Sequence, residues 1–352
     1  MNAPIVSTQL ASRLQQADLA QHALTQYYWN PRKNLFERSC PAASEANDAP
    51  LHYWWLAHAL DALTDLYERT RDPDTRQRMS DLLAGLISAN GGVITNDYYD
   101  DMEWLALACL RAFDATGEPG FAEATVTLWQ DIKTGWNDHC GGGIAWRKFQ
   151  MDYKNTPANA PAAILAARLN GRLGISDGLD WAIRIYHWNR EHLVEASSGF
   201  VWDGMNREGD GLVDHEWRYT YCQGVMVGAG VELYRLTTEE HYLAEAVQTA
   251  RKAVTDLVDP VSGALQYEEQ GDGGLFKGIL IRYLLQLLLV HPDAEIRAAL
   301  TTNADSLWAN ARTEGGLFGP DWAKAPVLPI DLSTHLSGVF LLEAMLRLPN
   351  GL

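Results

Sequence analysis

Asp100 and Asp101 stand side by side within NDYYDDMEWLALACLRAF, residues 96–113. Two carboxyl groups held close together suit the cleavage of a glycosidic bond, where one protonates the leaving oxygen and the other meets the developing oxocarbenium ion. Enzymes that retain anomeric configuration hold the two about 5 Å apart, and inverting ones need about 6.5–9.5 Å to admit a water. Neighbouring residues have Cα atoms about 3.8 Å apart, so diverging side chains reach the shorter separation more easily. Adjacency therefore favours retention. An Asp pair at a helix start also serves as an ordinary N-cap with a dipole-stabilising neighbour. A cap needs no such company as this pair has, because Asn96 and Asp97 precede it and Tyr98, Tyr99 and Trp104 surround it.

These residues need a scaffold, and helical periodicity runs through the 352-residue chain. Apolar spacing and turn signals predict twelve helices, near 7–29, 52–70, 74–89, 100–116, 119–134, 157–173, 177–195, 219–236, 239–256, 274–290, 293–309 and 332–348. The short polar turns TRDPDT (70–75), TGEPG (116–120), LTTEEH (236–241) and HPDAE (291–295) join helices into αα-hairpins. The second helix of each hairpin begins near 52, 100, 157, 219, 274 and 332, a rough repeat. Longer connections precede these helices and share a turn followed by apolar or aromatic residues: NLFER (34–38), GVITND (92–97), GGIAW (142–146), SGFVWDG (198–204), SGALQYE (262–268) and GGLFGPDW (315–322). They are expected to gather at one end. The fold class expected is all-α, a closed (α/α)6 barrel of six hairpins, because no capping repeats of a solenoid are evident. The apolar helices near 157, 219 and 274 read as inner ones. Strand signal is weak, and the absence of a Pro- or Ser-rich linker predicts one domain over 1–352.

Composition narrows the partners. The net charge of −17 argues against nucleic acid and anionic membranes. Hydrophobic residues make up 47%, enough for a large core, and the longest apolar stretch is broken by Arg282 and Gln286, so it reads as a buried helix. Cys40, Cys109, Cys140 and Cys222 are far apart and read as reduced thiols. The first residues lack a basic and apolar signal pattern, giving a cytoplasmic expectation. Thirteen tryptophans and fourteen tyrosines supply faces for sugar rings as readily as they fill a core.

The stretch YYDDMEW resembles the signature of glycoside hydrolase family 76, the endo-α-1,6-mannanases. GGIAW at 142–146, YKNTPANAPAAILAARL at 153–169, YTYCQGVMVGAGVELYRLT at 219–237 and FKGILIRYL at 276–284 fit the same family in order, so the resemblance covers most of the chain from about Trp54. It implies a six-hairpin α/α barrel and retaining hydrolysis of α-1,6-linked mannan, with Asp100 as nucleophile and Asp101 as acid/base. The partner implied is a mannose-containing oligosaccharide or polysaccharide, and the mechanism requires no metal or organic cofactor. The family also includes fungal cell-wall members that act on mannose-containing anchors, and the missing signal points here to short imported mannosides.

Around the pair, the expected binding shell is Trp54, Asn96, Tyr99, Trp146, Lys154, Asn155, Asp203, Gln223, Lys277 and Arg282. Each tryptophan can stack a pyranose or fill core, and Lys277 and Arg282 can equally be ion-pair partners. Other patterns are weaker. His187 and His192 lack zinc-motif spacing, NREGDG (206–211) puts Trp217 where a calcium loop needs Glu, and GVMVGAG (224–230) follows no strand. Two further readings are a sugar epimerase on the same barrel, which usually calls for paired histidines, and a catalytically silent mannoside-binding protein.

Overall fold

The computed structural model describes residues 3–42 and 51–348. Among them are twelve α-helices, and their contacts divide into two compact units, one of residues 1–91 with 258–352 and one of residues 92–257. The first unit holds α1 (Ala3–Tyr28), α2 (Tyr53–Thr70), α3 (Pro73–Ala89), α10 (Gly273–Leu288), α11 (Ala294–Asn310) and α12 (Leu332–Arg347). The second holds α4 (Tyr99–Thr116), α5 (Pro119–Ile132), α6 (Ala160–Leu173), α7 (Gly178–Leu193), α8 (Thr220–Thr237) and α9 (Glu240–Asp256).

Each unit sorts its helices into two kinds. In the second, α4, α6 and α8 pack in succession and carry α5, α7 and α9 as hairpin partners. The three inner helices are buried along most of their length, for example from Cys222 to Leu233 in α8. Their partners bury a single stripe. In α9 that stripe is Tyr242, Leu243, Ala246, Thr249, Ala250, Ala253 and Val254, the spacing of one helical face. Gly230 lets the two surfaces meet, since a Cβ there would stand 2.8 Å from the Tyr242 carbonyl oxygen. In the first unit α12 is buried at every position from Leu332 to Ala344 and packs against α1, α2 and α10.

Local chemistry sets the helix ends. Asp72 caps α3 by accepting the Thr75 N–H at 3.0 Å, with Pro73 in the first turn. Asp293 caps α11 in the same way. Gly117 ends α4 in the left-handed conformation that its missing Cβ permits, and Pro119 opens α5 two residues later.

The strand signal is weak because the strands are few and short. Seven short strands are present among the described residues. Strands β1 (Trp29–Asn30) and β2 (Leu35–Phe36) form a hairpin, and β3 (Ser39–Cys40) pairs with β7 (Ile330–Asp331). The strands β4 (Ala145–Arg147), β5 (Gln150–Asn155) and β6 (Gly204–Met205) form an antiparallel sheet. Helix α6 starts at Ala160 and not near 157, because Asn155 is still extended and Thr156–Ala158 forms a 3-10 turn.

In the first unit Arg282 is an ion-pair partner. Its guanidinium lies 2.6 Å from Asp61 and 2.9 Å from Asp65, over the Phe340 ring, and Arg347 meets Asp65 at 2.8 Å. The ion-pair alternative read for Arg282 is what the structure displays: both acids that hold it are buried and need its charge. Arg282→Met is expected to lower stability by about 3 kcal/mol, since it strands those carboxylates. Denaturant unfolding measures this, and an unchanged midpoint would contradict the assigned role.

Candidate functional site

The first turn of α4 carries Asp100 and Asp101, both half-buried. Tyr98 is the residue before the helix and offers no side-chain cap. The pair has work other than capping. One Asp100 oxygen accepts the Trp146 indole N–H at 3.0 Å, and the other accepts the backbone N–H of Asp101 at 3.0 Å. Donors on both oxygens, at the positive end of a helix dipole, suit an ionised carboxylate with a fixed plane. Asp101 accepts the Asn96 side-chain amide N–H at 2.8 Å. Asn96 also accepts the Tyr98 N–H at 3.1 Å, so one amide shapes the turn and orients the second acid.

The sheet brings Trp146 to this turn. Tyr98 and Arg147 form a bridge between the α4 entrance and β4, and the Lys148 N–H donates to the Asp97 carbonyl at 2.8 Å. Tyr98 meets the Trp146 indole edge-on at 5.2 Å, Tyr153 meets it at 5.7 Å, and the Arg147 guanidinium lies 4.3 Å from its centre. Phe149 stands beside Arg147 and is exposed. The loops before α4, α6 and α8 thus converge in this unit, as their repeated pattern predicted, since β5 also pairs with β6 at Asn155 and Gly204.

Several expected substrate contacts instead brace this arrangement. Lys154 is wholly buried, and its ammonium donates to the Gly143 carbonyl at 2.7 Å; burial pulls its pKa down to about 8. Gln223 is wholly buried and spends its amide on Val201, accepting that N–H at 2.9 Å and donating to that carbonyl at 2.7 Å. Each satisfies its polar groups inside the protein, as a side chain so enclosed must. Gly143, at φ 83°, could not be another residue, since a Cβ would lie 2.8 Å from the Trp188 ring. Tyr99 is buried, with its hydroxyl 3.2 Å from Thr134.

Asp203 is a buried carboxyl gripped by the Tyr221 hydroxyl at 2.7 Å, the Tyr153 hydroxyl at 3.3 Å and the Cys222 thiol at 3.4 Å. Burial pushes its pKa up, against those three donors. Asn155 is buried too, and its side-chain oxygen has no hydrogen-bond partner.

In the other unit, Trp54 is half-buried and its indole N–H donates to Asp272 at 3.0 Å; the same carboxylate oxygen accepts the Trp55 N–H at 2.9 Å. Lys277, expected as a binding residue, is buried and donates to the carbonyls of Gln266 and Pro320. Its charge ties two loops together. Among the described residues, no group of three or more His, Cys, Asp or Glu is placed to hold a metal ion, and all four cysteines are free.

Sequence reasoning passed over three groups. Asn159 clamps the glycine loop by accepting the Ile144 N–H at 2.8 Å and donating to the Ile144 carbonyl at 3.0 Å. Asp272 holds both indoles. Glu103 is fully buried on α4, one turn past Asp100, with neither oxygen within hydrogen-bonding distance of a partner. Its spacing of three from Asp100 was the available signal. Burial, and then the charge of Asp100, hold its pKa well above the ordinary value.

Glu103 has a measurable consequence. Below its ordinary value of 4.5 the acid is protonated in folded and unfolded chains alike. Above that the unfolded chain releases the proton and the folded one keeps it, so stability is lost as pH climbs toward the folded value. Glu103→Gln is expected to remove this slope and to be the more stable protein at neutral pH. Melting temperatures of both proteins across pH 4–8 check it; parallel curves would refute it.

The family model described as "Glycosyl hydrolase family 76" matches residues 12–341. The α-1,6-mannanase GH76A of Salegentibacter sp. HEL1_6 is similar at 39% identity, with 94% of this chain and 98% of that one covered and a TM-score of 0.88. An inactive variant of that protein in complex with α-1,6-mannotetrose matches at 38% identity, covering 95% of this chain and 99% of that chain, with a TM-score of 0.89. Mannan endo-1,6-alpha-mannosidase DCW1 of Candida glabrata is 24% identical over 302 residues, 76% of this chain and 65% of that protein. The chain thus spans somewhat less than two thirds of that fungal relative, and 46% of the DCW1 protein of Saccharomyces cerevisiae. Twelve helices and these likenesses assign the chain to the six-hairpin (α/α)6 barrel class.

Proposed function

The chain belongs to glycosyl hydrolase family 76, the α-1,6-mannanase family, and from that premise we propose that it hydrolyses α-1,6-linked mannosides with retention, through Asp100 and Asp101. The observation that carries this reading is the placement of both carboxyls in one helical turn, each oriented by a donor from outside that turn: Trp146 on Asp100 and Asn96 on Asp101. Supporting the choice of substrate, the Salegentibacter relative is described as an α-1,6-mannanase and its inactive variant is bound to α-1,6-mannotetrose.

In the first step an Asp100 oxygen attacks the anomeric carbon. The bond from that carbon to the leaving oxygen breaks as Asp101 gives that oxygen its proton. In the second step Asp101 takes a proton from water, the water oxygen attacks the same carbon, and the bond to Asp100 breaks. Two inversions restore the starting configuration. Asp100 serves as nucleophile because its plane is fixed by donors on both oxygens, which lowers the reorganisation needed for attack. Asn96 has a different task, since its neutral amide can face Asp101 in either protonation state. The chemistry calls for no metal or organic cofactor.

Asp100→Asn and Asp101→Asn are each expected to lower kcat/KM on α-1,6-mannan by roughly a hundred- to ten-thousand-fold with the melting temperature kept. Variants that retain wild-type rates would remove the pair from the mechanism. Trp146→Phe keeps a ring but deletes the donor to Asp100, and a loss of about tenfold is expected. NMR of the first product distinguishes stereochemistry: an α-anomer supports retention, a β-anomer excludes Asp100 as nucleophile, and tight binding without turnover would favour the silent binding protein.

A further inference from the structure

In the unit that holds the Asp pair, the guanidinium of Arg147 lies among aromatic rings. It stands 4.3 Å from the centre of the Trp146 indole, 4.4 Å from that of Phe149 and 5.8 Å from that of Tyr98. Trp146 is the residue whose indole N–H meets Asp100 at 3.0 Å. Arg147 is half-buried and takes no part in the two chemical steps.

The β4–β5 turn fixes its placement. Arg147 and Gln150 are partners across that turn, and the Gln150 side-chain oxygen accepts Nε at 3.1 Å and Nη2 at 2.8 Å. The remaining nitrogen, Nη1, donates to the Tyr98 hydroxyl at 3.5 Å. Gln150 is itself anchored, donating to the Arg207 carbonyl at 3.3 Å, and a backbone bridge joins Arg147 to Tyr98. A planar fork held through all three nitrogens cannot swing off the indole without losing these bonds.

The groups that hold it are neutral. Gln150 and Tyr98 orient the fork without cancelling its charge, and among the described residues Arg147 makes no ion pair. That charge is left to act on the rings. A cation over the face of an indole attracts its π electrons. The ring edge then becomes more positive, and the N–H in its plane becomes a stronger donor. Tyr98 and Tyr153 meet the same indole edge-on at 5.2 and 5.7 Å, which stops it from turning.

We propose that Arg147 is a positioning residue for the Asp100 carboxylate, acting through Trp146: it clamps the indole and strengthens the N–H that the indole donates. When the bond between the sugar and Asp100 breaks, negative charge returns to the carboxylate, and a stronger donor stabilises it there. This consequence rests on the reading of Asp100 as nucleophile. The coupling of Arg147 to the Trp146–Asp100 bond rests on geometry alone.

Arg147→Met keeps the length of the stem and removes the charge. In the full chain carrying isotope-labelled tryptophan, with the Trp146 indole signal assigned through Trp146→Phe, this substitution is expected to move the indole N–H proton upfield, the direction of a weaker hydrogen bond. The shift is expected to shrink in the Asp100→Ala background, where the N–H has lost its acceptor. Arg147→Lys returns a charge without the fork and is expected to recover about half of the shift. On α-1,6-mannan, Arg147→Met is expected to lower kcat about three- to tenfold, the size of one cation–π contact, with KM kept or lowered. A shift of the same size with and without Asp100, equal effects of Arg147→Met and Arg147→Lys, or a loss confined to KM would overturn the proposal. The two readings fail separately. A wild-type chain that does not cleave α-1,6-mannan sinks the catalytic reading, and the dependence of the shift on Asp100 then decides the role of Arg147. Cleavage with retention, alongside a shift indifferent to Asp100, sinks the role of Arg147 alone.

Discussion

A helix buried on nearly every side can show a polar group to solvent only at its ends. That constraint governs α4, α6, α8, α10 and α12, and it explains where the charges on them are found. Asp100 and Asp101 occupy the first turn of α4, where N–H groups lack helical partners and a carboxylate is welcome. One turn further in, the same kind of side chain becomes Glu103, whose oxygens lack a hydrogen-bond partner and whose pKa burial pushes well up. Arg282, in the interior of α10, has its charge balanced by Asp61 and Asp65, which face it. A single change of depth along a helix separates a half-buried acid held by donors from a fully buried one.

Much of the polar chemistry near the pair is directed at backbone and not at ligand. Lys154 on the Gly143 carbonyl, Gln223 on Val201 and Asn159 on Ile144 each satisfy peptide groups that loops would otherwise leave unpaired. An orphaned buried group costs about 1–3 kcal/mol, so these side chains are needed to make irregular loops affordable among packed helices. Their effect on the site is indirect but definite. They fix the sheet, the sheet fixes Trp146, and Trp146 fixes the plane of Asp100.

The helices were legible because their information is local. The stripe on α9 and the small apolar run of α8 are written in consecutive residues, and so are the caps at Asp72 and Asp293. The Asp pair was legible for the same reason. Arg282 was not, since its partner Asp65 lies 217 residues away and no periodicity connects them. Lys154 and Gln223 were read as ligand contacts because a polar residue near an inner-helix start looks the same whether it faces a cavity or a carbonyl. The strands escaped because most are two residues long and owe their geometry to a distant partner such as Ser39 on Asp331.

One of the two units is discontinuous, with its first 91 residues separated from the remainder by the whole of the other. On a ribosome adding about 5–20 residues per second, α2 waits on the order of ten seconds for α10 and α12 to emerge. Over that interval the apolar residues of α2, from Trp55 to Leu63, lack the helices that later cover them. The intervening unit is contiguous and can complete its own packing meanwhile. Vectorial synthesis thus places Asp100 and Asp101 on the part of the chain that is finished first, and leaves the N-terminal helices as the segment most in need of protection from aggregation while the chain grows.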